Sequence, residues 1–147
     1  MENKEINSII EQTSSIVAQN DKQPDIRQIP ALTLAYLGDA IYELIIRTTL
    51  VESGMSHVND LNKKASEYAK APTQAKIYHA LEEKLTEEEI SVFKRGRNAK
   101  SGSVAKSGTV TDYRNATGFE AMLGYLYLNG NIERILELVK EGINLIK

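Results

Sequence analysis

The sequence has no cysteine and no tryptophan, and only two histidines and three prolines in 147 residues. Without cysteine there can be no disulfide, no thiolate–zinc site and no thiol nucleophile, which fits a reducing compartment. His57 and His79 stand alone in the chain, make no histidine metal motif and read as surface or cap residues. No run approaches the roughly 20 apolar residues that cross a bilayer. The first residues, MENKEINSII, lack the basic-then-apolar pattern of a secretory signal. A cytoplasmic location with no membrane association is the expectation. Strand signals are scarce as well. There is no sustained period-two alternation and no Asn-Gly or Asp-Gly pair between apolar runs.

What is present is helical periodicity. Apolar residues make up 41% of the chain and charged residues 26%, as in an ordinary globular domain. Pro24, Pro30 and Pro72 suit boundaries rather than helix interiors. A polar first helix over 3–19 and a linker over 21–30 precede the most apolar helix, 31–53. That helix carries Leu34, Leu37, Ile41, Leu44 and Ile45 as its expected apolar face, with Gly54 after its end. Ser56 is placed to cap a helix over 57–70, and Pro72 to open one reaching Leu81. Thr86 with Glu89 forms a T-x-x-E capping box for 87–98. A further helix spans about 111–129. Asn131 then caps a last one with Ile132, Ile135, Leu136, Val139 and Ile143 as its buried stripe. The reading is all-α, about seven helices, with residues 1–23 as an N-terminal extension and 24–147 as one domain.

The net charge of −2 hides an asymmetry. Segment 82–89 (EEKLTEEE) is acidic, whereas 94–106 (KRGRNAKSGSVAK) carries Lys94, Arg95, Arg97, Lys100 and Lys106 and no acid. A local basic patch with flexible glycines can follow a phosphate backbone; such a run is otherwise a solvated face. Arg114 and Tyr113 follow at the start of the next helix, as phosphate contacts or as part of a cap.

Two acids stand in the most apolar helices. Asp39 lies in LAYLGDAIYEL beside Gly38, and Glu120 lies in ATGFEAMLGYLYL between Gly118 and Gly124. Glycine is costly inside a helix and suggests close approach of another backbone. A carboxylate among Leu and Ile needs a cation, either a side chain or a metal, and the residues alone leave both readings open. Two facing carboxylates, completed by water and phosphate oxygens, would form a minimal Mg²⁺ site. Glu43, one turn beyond Asp39, reads better as a partner of Arg47.

These segments resemble the two signature motifs of the ribonuclease III catalytic domain. LAYLGDAIYEL is similar to the first, usually of the form LEFLGD, and TGFEAMLGYLYL to the second; their order and the 81-residue spacing of Asp39 and Glu120 also match. The RGRNAK segment and the short length resemble the Mini-III subgroup, which lacks a double-stranded-RNA-binding domain. The resemblance covers about residues 24–147. It implies that Asp39 and Glu120 are the catalytic, metal-binding acids. Two further acids of many ribonuclease III enzymes are replaced here by Ala35 and Thr117. It implies an Mg²⁺-dependent endoribonuclease, with Mn²⁺ as a substitute, that makes staggered cuts in double-stranded RNA. It also implies a homodimer with Tyr36 at the interface, and a precursor of 23S ribosomal RNA as substrate. The alternative is a non-catalytic double-stranded-RNA-binding module with a degenerate site, for which the absence of acids at positions 35 and 117 speaks.

Overall fold

A computed structural model of the chain describes residues 25–100 and 108–147. These residues form six α-helices and no strand: α1 (Ala31–Glu52), α2 (Val58–Ala69), α3 (Ala71–Leu81), α4 (Glu87–Asn98), α5 (Val110–Leu128) and α6 (Ile132–Ile146). Short 3-10 turns cover Ile26–Gln28 and Glu82–Lys84. The helix expected over 3–19 lies outside the described residues. Sequence punctuation explains most ends. Pro30 stands immediately before α1, and Gly54 follows its end with φ of 95°. The Thr86–Glu89 capping box opens α4 with both reciprocal hydrogen bonds formed. A second box, Thr109 with Asp112, opens α5. The expected Ser56 cap is not made; His57 occupies the cap position of α2, without a side-chain hydrogen bond.

The centre of the fold is α5, where Asn115–Phe119 and Ala121–Leu126 are all buried. A helix apolar on every side must be surrounded, and α1, α3 and α4 pack around this one. Small residues set how close they come. A Cβ on Gly38 of α1 would sit 1.7 Å from the Glu120 carbonyl oxygen, and one on Gly124 would sit 2.1 Å from that of Leu34. The backbones of α1 and α5 therefore touch. On the opposite side, a Cβ on Gly96 of α4 would lie 2.8 Å from the Gly118 Cα. Larger side chains fill the remaining space. Tyr42 meets Phe119 edge-on at 5.9 Å, Tyr78 stacks on Phe93, and Ile77, Leu81, Met122, Leu123, Ile135 and Leu138 close the core.

The expected faces of two helices hold in part: Leu34, Ile135 and Val139 are buried, and Ile41, Ile45, Ile132 and Ile143 pack half-buried against the core. The buried side of α1 is Ala31, Leu34, Ala35, Gly38, Tyr42, Ile46 and Leu50, while Leu44 is 67% exposed. In α6 the buried residues are Ile135, Leu138, Val139 and Gly142, and Leu136 faces outward. In α1 the row through Ala35 and Gly38 faces α5, because Gly38 admits the neighbouring backbone.

At the C-terminus of α2, the helix makes no fully buried contact, and its last four carbonyls have no partner inside the helix. Each is satisfied from elsewhere. Lys70 N–H donates to Ser66 O, Thr73 Oγ1 to Glu67 O (2.7 Å), Tyr42 O–H to Tyr68 O (2.8 Å) and Gln74 Nε2 to Ala69 O (2.9 Å). A further tie joins α4 to α6. Arg134 donates to both oxygens of the buried Glu89 carboxylate, at 2.8 and 3.0 Å, and to the Lys84 carbonyl.

Candidate active site

The contact of α1 with α5 brings Asp39 and Glu120 together. Gly38 lies on the contact line against the backbone of Glu120. Asp39, one residue on, is turned about 100° around the helix and reaches the rim. It is exposed, which corrects the expectation of an acid buried among Leu and Ile; Glu120 is half-buried. Burial, then the side-chain interaction with Asp39, then the Asp39 charge push the Glu120 pKa up to about 9. Glu43 adds its charge in the same direction, whereas the Gln74 amide works against it. Glu43 thus belongs to the same negative cluster, and its i,i+4 partner Arg47 stands off at 3.9 Å.

The chemistry of this donor set suits a hard divalent cation. Two neighbouring carboxylates repel each other, and a divalent ion between them would favour the ionised form of both. Among the described residues no group of three or more His, Asp or Glu side chains is arranged to hold a metal. Protein ligation is therefore sparse, and oxygens of water and substrate would have to complete it. The positions where other family members carry acids add nothing. Ala35 is buried in the core, and Thr117 is buried with its Oγ1 donating to the Tyr113 carbonyl at 3.0 Å.

The basic stretch does not form one surface. Lys94 and Arg95 lie along the outer side of α4, where Arg95 donates to the Ile29 carbonyl at 2.8 Å. Arg97 turns inward over the Phe93 ring and hydrogen-bonds Asn98. Lys100 and Arg114 line a cavity of about 560 Å³ with Asn98, Tyr113 and Thr117. Thr117 is one helical turn before Glu120, so the cavity lies along the helix that carries this acid. Lys106 lies outside the described residues. Tyr36 is 83% exposed on α1 and takes no part in the acid cluster. His79, expected at the surface, is exposed there and pairs with Glu82 at 2.7 Å.

Sequence reading missed Gln74. It sits in α3 within APTQAKIYHAL, is 3% exposed, and its amide works to lower the Glu120 pKa. A lone amide at a core position of a short apolar helix was the available signal.

A profile of the ribonuclease III domain matches residues 32–131, the span that contains both acids. The chain belongs to the ribonuclease III family. Curated relatives place it in the Mini-III branch. It is 48% identical to the Mini-ribonuclease 3 of Symbiobacterium thermophilum over 81% of this chain and 92% of that protein. Against the Mini-ribonuclease 3 of Enterococcus faecalis it is 50% identical, over 78% of this chain and 89% of the other. A crystal structure of a Fusobacterium nucleatum protein superposes with a TM-score of 0.74 at 36% identity, over 83% of this chain and 98% of that one. This ribonuclease III domain is accordingly an endoribonuclease with the all-α family fold. Among its described residues no helix is long and apolar enough to cross a membrane.

Proposed function

We propose that this ribonuclease cuts double-stranded RNA with a divalent metal, Mg²⁺ with Mn²⁺ as a substitute, held at Asp39 and Glu120. The observation that carries this reading is the acid pair itself: two carboxyls brought together by a glycine-mediated helix contact, with burial and the Asp39 charge raising the Glu120 pKa. Nothing in the core requires them there, since Asp39 faces solvent. A bound divalent ion supplies an activated water and neutralises charge on the phosphodiester under attack. The protein's part is to hold both carboxylates on rigid helices and to admit the RNA backbone along the cavity of Lys100 and Arg114. Lys94, Arg95, Arg97 and Lys106 are assigned to RNA contact as well, with Lys94 best placed, because Arg95 and Arg97 already have protein partners.

Duplex RNA is read by shape and by phosphate and 2′-hydroxyl contacts, and a two-fold homodimer would present one site to each strand. The exposed apolar side of α1 supports the dimer. Tyr36 is 83% and Leu44 67% exposed, and Leu44 borders an apolar cavity of about 400 Å³ that also includes Ile41, Ile45, Tyr127 and Leu136. The reading extends to residues 24–147 as the catalytic domain, with 1–23 as an extension, to a cytoplasmic location, and to precursors of 23S ribosomal RNA as substrate. The test is incubation of the protein with a long RNA duplex, with and without Mg²⁺, beside Asp39→Asn and Glu120→Gln. Wild type should cut only with metal, and both variants should fold and fail to cut. Wild-type cleavage by either variant would remove that residue from the site.

A further inference from the structure

The cavity between the end of α4 and the start of α5 is larger than a passing phosphate backbone requires. It holds about 560 Å³, within the roughly 300–1,000 Å³ of sites that enclose a small molecule. Its two cations, Lys100 and Arg114, are both exposed. The rest of the lining is of another character. Tyr113 contributes a half-buried aromatic ring, and Val110 an apolar side chain that is 61% exposed. Asn98 contributes an amide. Its Oδ1 accepts from Arg97 Nε at 3.1 Å, so the amide N–H groups are what it offers a ligand. Tyr113, Thr117 and Glu120 follow at i, i+4 and i+7, which puts them along one side of α5. The cavity and the acid therefore share that side of the helix.

We propose that this cavity receives one unpaired nucleotide of the RNA, its phosphate on Lys100 and Arg114 and its base against Tyr113. This rests on the double-stranded-RNA reading above and adds a preference for helices that carry a bulged residue beside the cut. A fully paired strand does not match the whole lining. Its bases are stacked inside the duplex, so it would meet the two cations and leave the ring, the valine and the amide facing water. An unstacked nucleotide matches each part. A flat base suits the tyrosine ring and the valine, its edge acceptors suit the amide of Asn98, and its phosphate suits the cations. Selection by a bulge would also give a small catalytic domain a way to choose among duplexes that are otherwise alike in shape.

The experiment uses the full chain in chelator, so that RNA is bound and not cut. Two duplexes of equal length are compared, one fully paired and one with a single unpaired 2-aminopurine nucleotide. Binding is read by the anisotropy of an end label, and stacking by the aminopurine emission, which falls when the ring stacks. Wild type should bind the bulged duplex roughly 10-fold more tightly than the paired one and quench its emission. Tyr113→Leu should lose the quench and most of the preference, whereas Tyr113→Phe should keep both. Asn98→Ala, at an exposed position, should lower the preference on its own, and it carries the same test if Tyr113→Leu does not fold. Quenching by Tyr113→Leu as strong as by wild type would overturn the proposal. So would equal wild-type affinity for the two duplexes without a quench, which reduces the cavity to a backbone contact and leaves the double-strand reading standing. Adenosine monophosphate is titrated as well. If it binds while the two duplexes bind alike, the site takes a free nucleotide and the assignment to RNA is wrong. If neither duplex binds, the double-strand reading fails and this inference with it.

Discussion

Gly38→Ala is the most demanding test of how this fold builds its site. The added methyl would be placed 1.7 Å from the Glu120 carbonyl oxygen, 2.6 Å from its carbon and 3.0 Å from the Gly124 nitrogen. Ordinary contact begins near 3.4 Å, so the shortfall at the closest atom is 1.7 Å, and every atom in the way is backbone. No side chain can rotate aside; the helices must part. Overpacking of this kind costs about 3 kcal/mol, the upper end of the usual range. Alanine regains about 1 kcal/mol over glycine as a helix former. The net loss is then about 2 kcal/mol, or a melting temperature lower by roughly 4–8 °C for a chain of this size. Activity should suffer more. Separation of α1 from α5 moves Asp39 away from Glu120, and a misplacement of about 1 Å can cost on the order of 100-fold in rate. Cleavage assayed well below the melting temperature should fall by about that factor. Gly96→Ala serves as the comparison, since its methyl would meet Gly118 and Ala121 at 2.8 and 2.9 Å on the other side of α5. It should cost stability while sparing activity far more. A Gly38→Ala enzyme that melts and cuts like wild type would refute the claim that backbone contact aligns the acids.

Four further outcomes follow from the same geometry. Glu120 binds its proton more tightly folded than unfolded, so between its ordinary carboxyl range and pH of about 9 the metal-free fold holds more protons than the unfolded chain. Its contribution to stability therefore falls as pH rises through that window. Melting curves in chelator should show Glu120→Gln more stable than wild type at pH 8–9, with the gap closing toward pH 4–5, and Mg²⁺ should raise the wild-type melting temperature at pH 8. Arg134→Ala should cost about 3 kcal/mol in denaturant unfolding, because it strands the buried Glu89 carboxylate. Burial pushes the Glu89 pKa up, but hydrogen bonds from Arg134 and the Thr86 backbone hold it below the usual range, so this tie weakens as pH falls below that range. Lys100→Ala and Arg114→Ala should each weaken duplex binding and reduce its salt slope by about one, read by titration at several ionic strengths. Tyr36→Arg with Leu44→Glu should yield a monomer in sedimentation.

Helix ends were readable from the sequence because they depend on local chemistry. Pro30, Gly54, Pro72 and the Thr86–Glu89 box each act within one turn, and the structure places helix ends beside all of them. Faces were harder. In α1 the stripe Leu37, Ile41, Leu44 and Ile45 and the row Ala35, Gly38 and Tyr42 both obey helical spacing, and hydrophobicity favours the less buried one, although Leu34 of the expected face is buried. Only the neighbour decides, and α5 comes against the small row. An apolar residue turned outward, as Leu44 is, looks the same in sequence as one turned to the core. The acid pair was visible through its flanking glycines, although Asp39 proved exposed rather than buried. Gln74 was invisible because nothing local connects it to Glu120, 46 positions away. The basic segment reads as one patch in sequence, whereas helical geometry puts Lys94 and Arg95 on one side of α4 and turns Arg97 over Phe93.

The manner in which α2 is held has a dynamic consequence. Three of its terminal carbonyls are gripped by side chains of α1 and α3 and the fourth by the Lys70 N–H, whereas the body of the helix buries no residue completely. A rod fastened at one end opens from the other. Amide hydrogens near Leu61 should exchange with solvent through small local openings, while those near Tyr68 should persist until the fold as a whole gives way. The slowest-breathing part of this peripheral helix is therefore the end that the side chains of α1 and α3 hold.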